Sequence, residues 1–234
     1  MSTKNYLKKN NNYWSEPYNA ENVESYIFRL KGGLLDKFIS KKKIKVLDYG
    51  CGFGAQIKYL IEKHNYEGYG VDIAKYAINS CHKIMPKLKK NFKLIGSACN
   101  ENDDFFNVKF DLIIANQSLY YLDDADLQLR LKSLKKMLKP GGHIFASMMS
   151  IKNSYFKMSV CKKKNSDFRE LLHSDPEYKK RHKKKYNKCY INFIKDKKSL
   201  IKKFSLFQKI LIGQYDLCYD VNLPGHHYTF FGKS

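Results

Sequence analysis

The stretch Ile44-Lys45-Val46-Leu47-Asp48-Tyr49-Gly50-Cys51-Gly52-Phe53-Gly54 decides the fold. A short apolar run, bounded by lysines on one side and glycines on the other, reads as a buried strand ending at Asp48. Beyond Gly54, residues Ile57, Leu60 and Ile61 share one face of a helix. Strand, glycine turn and helix in that order predict a pocket for a charged ligand. Glycine lets the backbone approach without a Cβ, and a helix start presents unpaired N–H groups.

The spacing of the glycines narrows the ligand. A dinucleotide cradle uses G-x-G-x-x-G, whereas Gly50, Gly52 and Gly54 give G-x-G-x-G with an acid two residues ahead. The run Asp48-Tyr49-Gly50-Cys51-Gly52-Phe53-Gly54 resembles the D-x-G-C-G-x-G signature of class I S-adenosylmethionine (SAM)-dependent methyltransferases. SAM carries no pyrophosphate, and a tight loop suits its methionyl and ribose groups. The resemblance continues in Phe110-Asp111-Leu112-Ile113 and in Leu138-Lys139-Pro140-Gly141-Gly142, and covers residues 40–150 by motif. It implies a Rossmann-like α/β fold with a seven-stranded mixed sheet in the order 3-2-1-4-5-7-6.

The rest of the chain fits that frame. A second strand over 69–73 carries Asp72 near its end, 24 positions after Asp48, the length a βαβ unit needs to return to the same edge. An acid there can accept hydrogen bonds from both ribose hydroxyls. A helix over 74–85 stops at Pro86, a third strand covers 92–96, and a fourth covers 110–116. A helix over 125–138 ends in the turn 139–142 before a fifth strand, 143–149. Two closing strands, 208–216 and 226–232, are joined by a loop holding Pro224-Gly225. The expected division is an N-terminal arm and helix (1–40), a core (41–150), an inserted cap (151–203) and the last two strands (204–234). The first residues are polar and expected to be mobile, with Trp14 either closing over the ligand or pinning the arm.

Composition bounds the partners. The 234 residues carry 44 Lys+Arg against 22 Asp+Glu, a net charge of +22, which favours anionic partners even if an AT-rich coding sequence inflates the lysine count. Residues 151–203 hold 18 Lys/Arg and 5 Asp/Glu, so this cap, expected to be helical, carries +13. No apolar run reaches the length of a membrane span, and the N-terminus has no signal-peptide h-region. Six scattered cysteines without a C-x-x-C pair suit reduced thiols in the cytoplasm and give no zinc pattern. Asp123 and Asp124 read as helix N-terminal acids rather than metal ligands.

The resemblance implies SAM as cofactor, leaving S-adenosyl-L-homocysteine. The expected cofactor residues are Asp48, Gly50, Cys51, Gly52, Gly54, Asp72, Ile73, Ala98, Cys99, Asn116, Gln117, Ser118 and Trp14. The family usually places an acid against the adenine amine where this chain has Ser97, so adenine reading falls to the backbone around Ala98 and Cys99 or to Asn100. Tyr18, Tyr120, Lys183 and Lys184 are candidates for acceptor binding, and Tyr121, His226 and His227 for catalysis. Two histidines opening the last strand would lie at the cofactor edge, and an unperturbed imidazole titrates near neutrality.

The expected acceptor is small and anionic, phosphorylated or nucleotide- or sugar-linked. The chain also looks similar to bacterial enzymes that decorate surface polysaccharide, including capsule phosphoramidate O-methylation. Base-flipping methylation of DNA is not supported, because Asn116 lacks a following P-P-Y and no cysteine follows a proline. The alternative is an RNA-binding methyltransferase, or a nucleic-acid-binding protein with an inactive core.

Overall fold

The computed structural model describes residues 4–15, 43–161, 167–172, 188–216 and 224–234. Strand β1 (Lys45–Tyr49) is the centre of the sheet, pairing in parallel with β2 (Glu67–Asp72) and β4 (Phe110–Ala115). Strands β3 (Phe92–Leu94), β5 (Leu138–Met149), β9 (Gln208–Asp216) and β10 (His226–Lys233) complete a seven-stranded sheet in the order β3-β2-β1-β4-β5-β10-β9. Among these, β10 runs antiparallel to both neighbours. The last two strands therefore form the expected hairpin, with β9 parallel to the central strands.

Strand alternation divides the core between the two faces of the sheet. Leu47, Ile113, Ala115 and Phe230 face one cluster, with Leu127, Leu131 and Leu134 from the helix Asp124–Met137. Val46, Leu112, Ile114 and Phe231 face the other, with Leu60 from the helix Ala55–His64. Asp123 caps the first of these helices by accepting from the Asp126 amide at 2.9 Å. A sheet buried on both faces needs near-continuous apolar strands, which β1 and β4 supply.

Three local expectations are corrected. Residues 139–142 lie inside β5 instead of forming a turn before it; the ladder with β4 is irregular between Phe110 and Leu112, and Gly141 takes φ +75°. The described part of the basic insertion is built on strands in place of the expected helical cap. The five-residue helix Ser154–Met158 leads into an antiparallel sheet of β6 (Ser159–Val160), β7 (Phe168–Leu172) and β8 (Lys188–Asn192). Cys189 to Asn192 are all buried, because one side of this small sheet meets the core and another meets the N-terminus.

The third correction concerns that N-terminus. Residues Lys4–Ser15 form helix α1, and it is docked. Buried Asn10 bonds both backbone groups of Tyr190 (2.7 and 3.2 Å) and the Tyr121 carbonyl (2.7 Å), while Lys9 pairs with Glu170 at 3.0 Å. A polar helix is held here by long-range hydrogen bonds, a signal absent from its own sequence. Tyr18, Lys183, Lys184, the side chain of Trp14 and residues 16–40 of the expected arm and helix lie outside the described residues.

Candidate functional site

The glycine loop between β1 and the helix Ala55–His64 has a backbone only glycine tolerates well. Gly50, Gly52 and Gly54 take φ of +80°, +51° and +77°. A Cβ on Gly50 would stand 2.4 Å from the Ser118 Cβ, so the loop after β4 sits directly against the glycine loop. Ser118 fixes that contact by donating to the Tyr49 carbonyl at 2.7 Å.

The loop amides are used differently from a phosphate cradle. Gly50 and Cys51 both donate to the Val71 carbonyl (2.8 and 3.0 Å), Gly54 donates to Cys51, and Gly52 donates to the Asp72 carboxylate at 2.8 Å. The expected row of outward N–H groups is thus largely consumed within the protein. What remains is acidic. Asp48 is 4% exposed, and burial together with nearby Asp72 pushes its carboxyl up to about 8. Burial also raises Asp72, against the amides of Ala74, Gly52 and Ile73 that favour its charged form. Neither acid has a basic partner among the described residues. Two buried acids beside a loop whose amides are largely spent within the protein suit a cationic ligand and disfavour a phosphate, which fits the positive sulfonium and ammonium of SAM.

The cysteine in the loop does not face that space. The Cys51 thiol is buried against Cys81, whose sulfur lies 3.3 Å from the Gly52 carbonyl; the Cys81 contact and burial hold Cys51 well above the ordinary thiol range. Beyond β3, Ala98 and Asn100 are exposed and Cys99 is half-buried.

The second half of the site gathers at the carboxyl ends of β4 and β5. Gln117 takes φ +54° and its amide donates to the Ser147 hydroxyl (2.8 Å), which in turn donates to the Asn116 side chain (2.7 Å). The buried Tyr215 hydroxyl lies beside Ser147 and Gln117 without completing a hydrogen bond to either. Tyr215 pairs in register with His227, and their rings stack at 4.9 Å with 7° between planes; the Tyr120 ring is 6.0 Å from His227. Burial raises both Tyr120 and Tyr215 above the ordinary phenol range.

His226 and His227 point to opposite faces, as alternation requires. His226 Nδ1 is 2.7 Å from the Ser150 hydroxyl, on the same face as Tyr228. His227 is 3% exposed, and its Nδ1 donates to the Gly225 carbonyl at 2.6 Å. A carbonyl only accepts, so Nδ1 carries the proton and Nε2 keeps a free lone pair. That Nε2 is buried and unpartnered, and burial lowers the imidazole to about 4, so the ring is neutral at ordinary pH. Tyr121 lies next to Tyr120, with ring centroids 4.6 Å apart, and its carbonyl is held by Asn10.

The structure therefore joins Gly50, Ser118, Gln117, Tyr215 and His227 into one continuous line of contacts. Tyr215 was not foreseen from the sequence. Its signal is a tyrosine in an alternating strand, and only the register of the hairpin places it on His227.

A family model described as a methyltransferase domain matches residues 40–206. Phosphoethanolamine N-methyltransferase 3 of Arabidopsis thaliana is 26% identical over 190 residues, which is 77% of this chain and 36% of that protein. O-methyltransferase rstn1 of Aspergillus nomiae is 23% identical over 133 residues, 56% of this chain and 58% of that protein. The chain thus spans less than two thirds of the length of either curated relative. A crystal structure of a SAM-dependent methyltransferase from Methanosarcina mazei is similar in fold, with a TM-score of 0.61 at 17% identity, covering 82% of this chain and 92% of that one.

Proposed function

The chain belongs to the methyltransferase-domain family, and from that premise we propose that it is a SAM-dependent enzyme that methylates an oxygen of a small acceptor held against His227. The observation that carries the reading is the buried, unpartnered Nε2 of His227, flanked by Tyr120 and Tyr215 at the carboxyl edge of the sheet.

The cofactor is assigned to Asp48 through Gly54, with its ribose on Asp72 and its adenine against Ala98 and Cys99. Bound there, SAM supplies a methyl group on a positively charged sulfur. The residues of this chain orient the acceptor, exclude water and receive a proton. A hydroxyl acceptor can donate to His227 Nε2 and accept from the Tyr215 hydroxyl. An imidazole weakened by burial is still base enough, because an oxygen that has gained a methyl group before losing its proton is an oxonium, a far stronger acid than imidazolium. His226, with its Nδ1 engaged by Ser150 on the other face, is the lesser candidate.

The finer acceptor identity is a hydroxyl-bearing, phosphorylated or nucleotide- or sugar-linked metabolite of the kind used in bacterial surface-polysaccharide or capsule modification. Its anionic part would meet the lysine-rich insertion, which lies in sequence between the core and the closing strands. The test is a screen of such compounds with SAM, scored by S-adenosylhomocysteine release and by the site of the new methyl group. O-methyl product from an anionic hydroxyl compound supports the proposal. Turnover of amines alone would overturn the oxygen assignment, and turnover of RNA alone the small-acceptor assignment.

A further inference from the structure

One buried cation lies outside the methyl-transfer chemistry just described. Arg130 projects from the helix Asp124–Met137 and is 1% exposed, the bulkiest of the fully buried side chains. Its Nη1 donates to Asp103 Oδ2 at 2.8 Å and to the Ser133 hydroxyl at 3.3 Å, and its Nη2 donates to the Ala98 carbonyl at 3.2 Å. The guanidinium carbon lies 5.3 Å from the centre of the Tyr49 ring and 5.1 Å from that of Phe105. Asp103 Oδ2 also accepts from the Asn100 amide at 3.1 Å, and the Asp103 amide donates back to the Asn100 carbonyl. The segment from Ala98 to Phe105 is therefore folded around the guanidinium, and Tyr49 of the glycine motif packs against the same group.

A buried guanidinium must be compensated by hydrogen bonds and an opposite charge, and here the Nε remains unpartnered. Packing alone would be better served by a leucine, the residue type at the neighbouring buried positions 127, 131 and 134. The use of the arginine lies in what it holds. Resting on the SAM reading above, we propose that Arg130 is a positioning residue that gives this protein its preference for adenine, by fixing the peptide between Ala98 and Cys99.

A trans peptide directs its C=O and N–H in opposite directions. With the Ala98 carbonyl drawn toward Arg130, the Cys99 N–H points away from the guanidinium. A fixed N–H donor matches N1 of adenine, which accepts. It rejects the N1 of hypoxanthine, which carries a hydrogen. Ser97 offers no carboxylate to the adenine amine, so recognition by the backbone has to be enforced by its support, and Arg130 is that support.

The test compares the affinity of S-adenosylhomocysteine with that of its hypoxanthine counterpart, S-inosylhomocysteine, for the wild-type protein, Arg130→Met and Asp103→Asn. The wild type should prefer the adenine compound by about tenfold or more, the scale of one hydrogen bond replaced by a buried mismatch. Arg130→Met should weaken the adenine compound and bring the ratio of the two affinities toward one. Asp103→Asn, which leaves the helix untouched, should move the ratio the same way by a smaller factor and serves if Arg130→Met does not fold. A merely structural role would lower both affinities together and leave the ratio intact, and an unchanged ratio in the folded variants overturns the assignment. Absence of any S-adenosylhomocysteine binding to the wild type would instead overturn the SAM reading on which it rests.

Discussion

The proposed cofactor side draws most of its residues from seven consecutive positions, Asp48 to Gly54, with Asp72 returned beside them by one βαβ unit. The proposed acceptor side takes Tyr120, Ser147, Tyr215 and His227 from four separate segments. The first would work through backbone geometry and buried acids, and the second through neutral side chains, of which Tyr215 and His227 each carry a buried polar atom without a partner. A methyl donor is the same for every member of such a family, so a short contiguous motif serves it. An acceptor is particular to each protein, and its pocket is assembled from whatever the closing strands and cap bring to the edge.

Breaking the cofactor side at its backbone should have the largest effect. Gly50→Val places a β-branched residue at φ +80° with its Cβ against Ser118. The left-handed backbone alone costs about 1–2 kcal/mol, and relief of the clash must move the loop. SAM affinity should fall by about 100-fold or more in calorimetry, with a lowered melting temperature.

Asp48→Asn sharpens the comparison by separating stability from binding. The folded carboxyl titrates near 8 and the unfolded one near 3.8. Between those values the folded state holds a proton that the unfolded state releases, so wild-type stability contributed here is full below the lower value and is lost as pH rises toward the upper. Each unit of such a shift corresponds to about 1.4 kcal/mol at most. The asparagine variant should therefore melt higher than wild type at pH 8 while binding SAM about tenfold more weakly. For the wild type, SAM affinity should rise with pH up to about 8, with proton release on binding. A pH-independent affinity would remove Asp48 from contact with the ligand's positive charge.

A smaller effect is expected on the acceptor side from Tyr215→Phe, which removes one hydroxyl and keeps the stacked ring. It should raise the acceptor KM or lower kcat by about tenfold, the scale of one hydrogen bond, with SAM affinity unchanged. Equal loss on both substrates would show that Tyr215 supports the fold and not the acceptor.

How legible each region was follows from the same division. Glycine spacing, the acid after the second strand and strand alternation are local, so β1 to β4, Asp48 and Asp72 could be read directly. The edge position of His226 and His227 followed from hairpin topology. Arg130 and Tyr215 could not be read in this way. Arg130 stands on the apolar face of its helix beside Leu127, Leu131 and Leu134, a cation whose purpose depends on Asp103 and Ala98 elsewhere in the chain. Asn10 looks like one of several polar residues at the N-terminus, until β8 and the turn after β4 supply its partners. Lysine density suggested a helical cap, yet the Cys189-Tyr190-Ile191 segment has the composition of a strand and is buried as one.

The most direct test of the central account is a paired measurement on His227→Asn: SAM affinity, and turnover of a hydroxyl acceptor between pH 4 and 8. The account predicts SAM affinity within about threefold of wild type and kcat lowered by about 10²–10⁴-fold, the usual contribution of a positioned base. It also predicts that wild-type activity persists below pH 6.5, because burial holds His227 neutral down to about 4. Between those values the unfolded imidazole takes up a proton and the folded one does not, so the stability of the wild type relative to the His227→Asn variant should fall as pH is lowered from about 6.5 toward 4. Normal turnover by a folded His227→Asn protein would contradict the account.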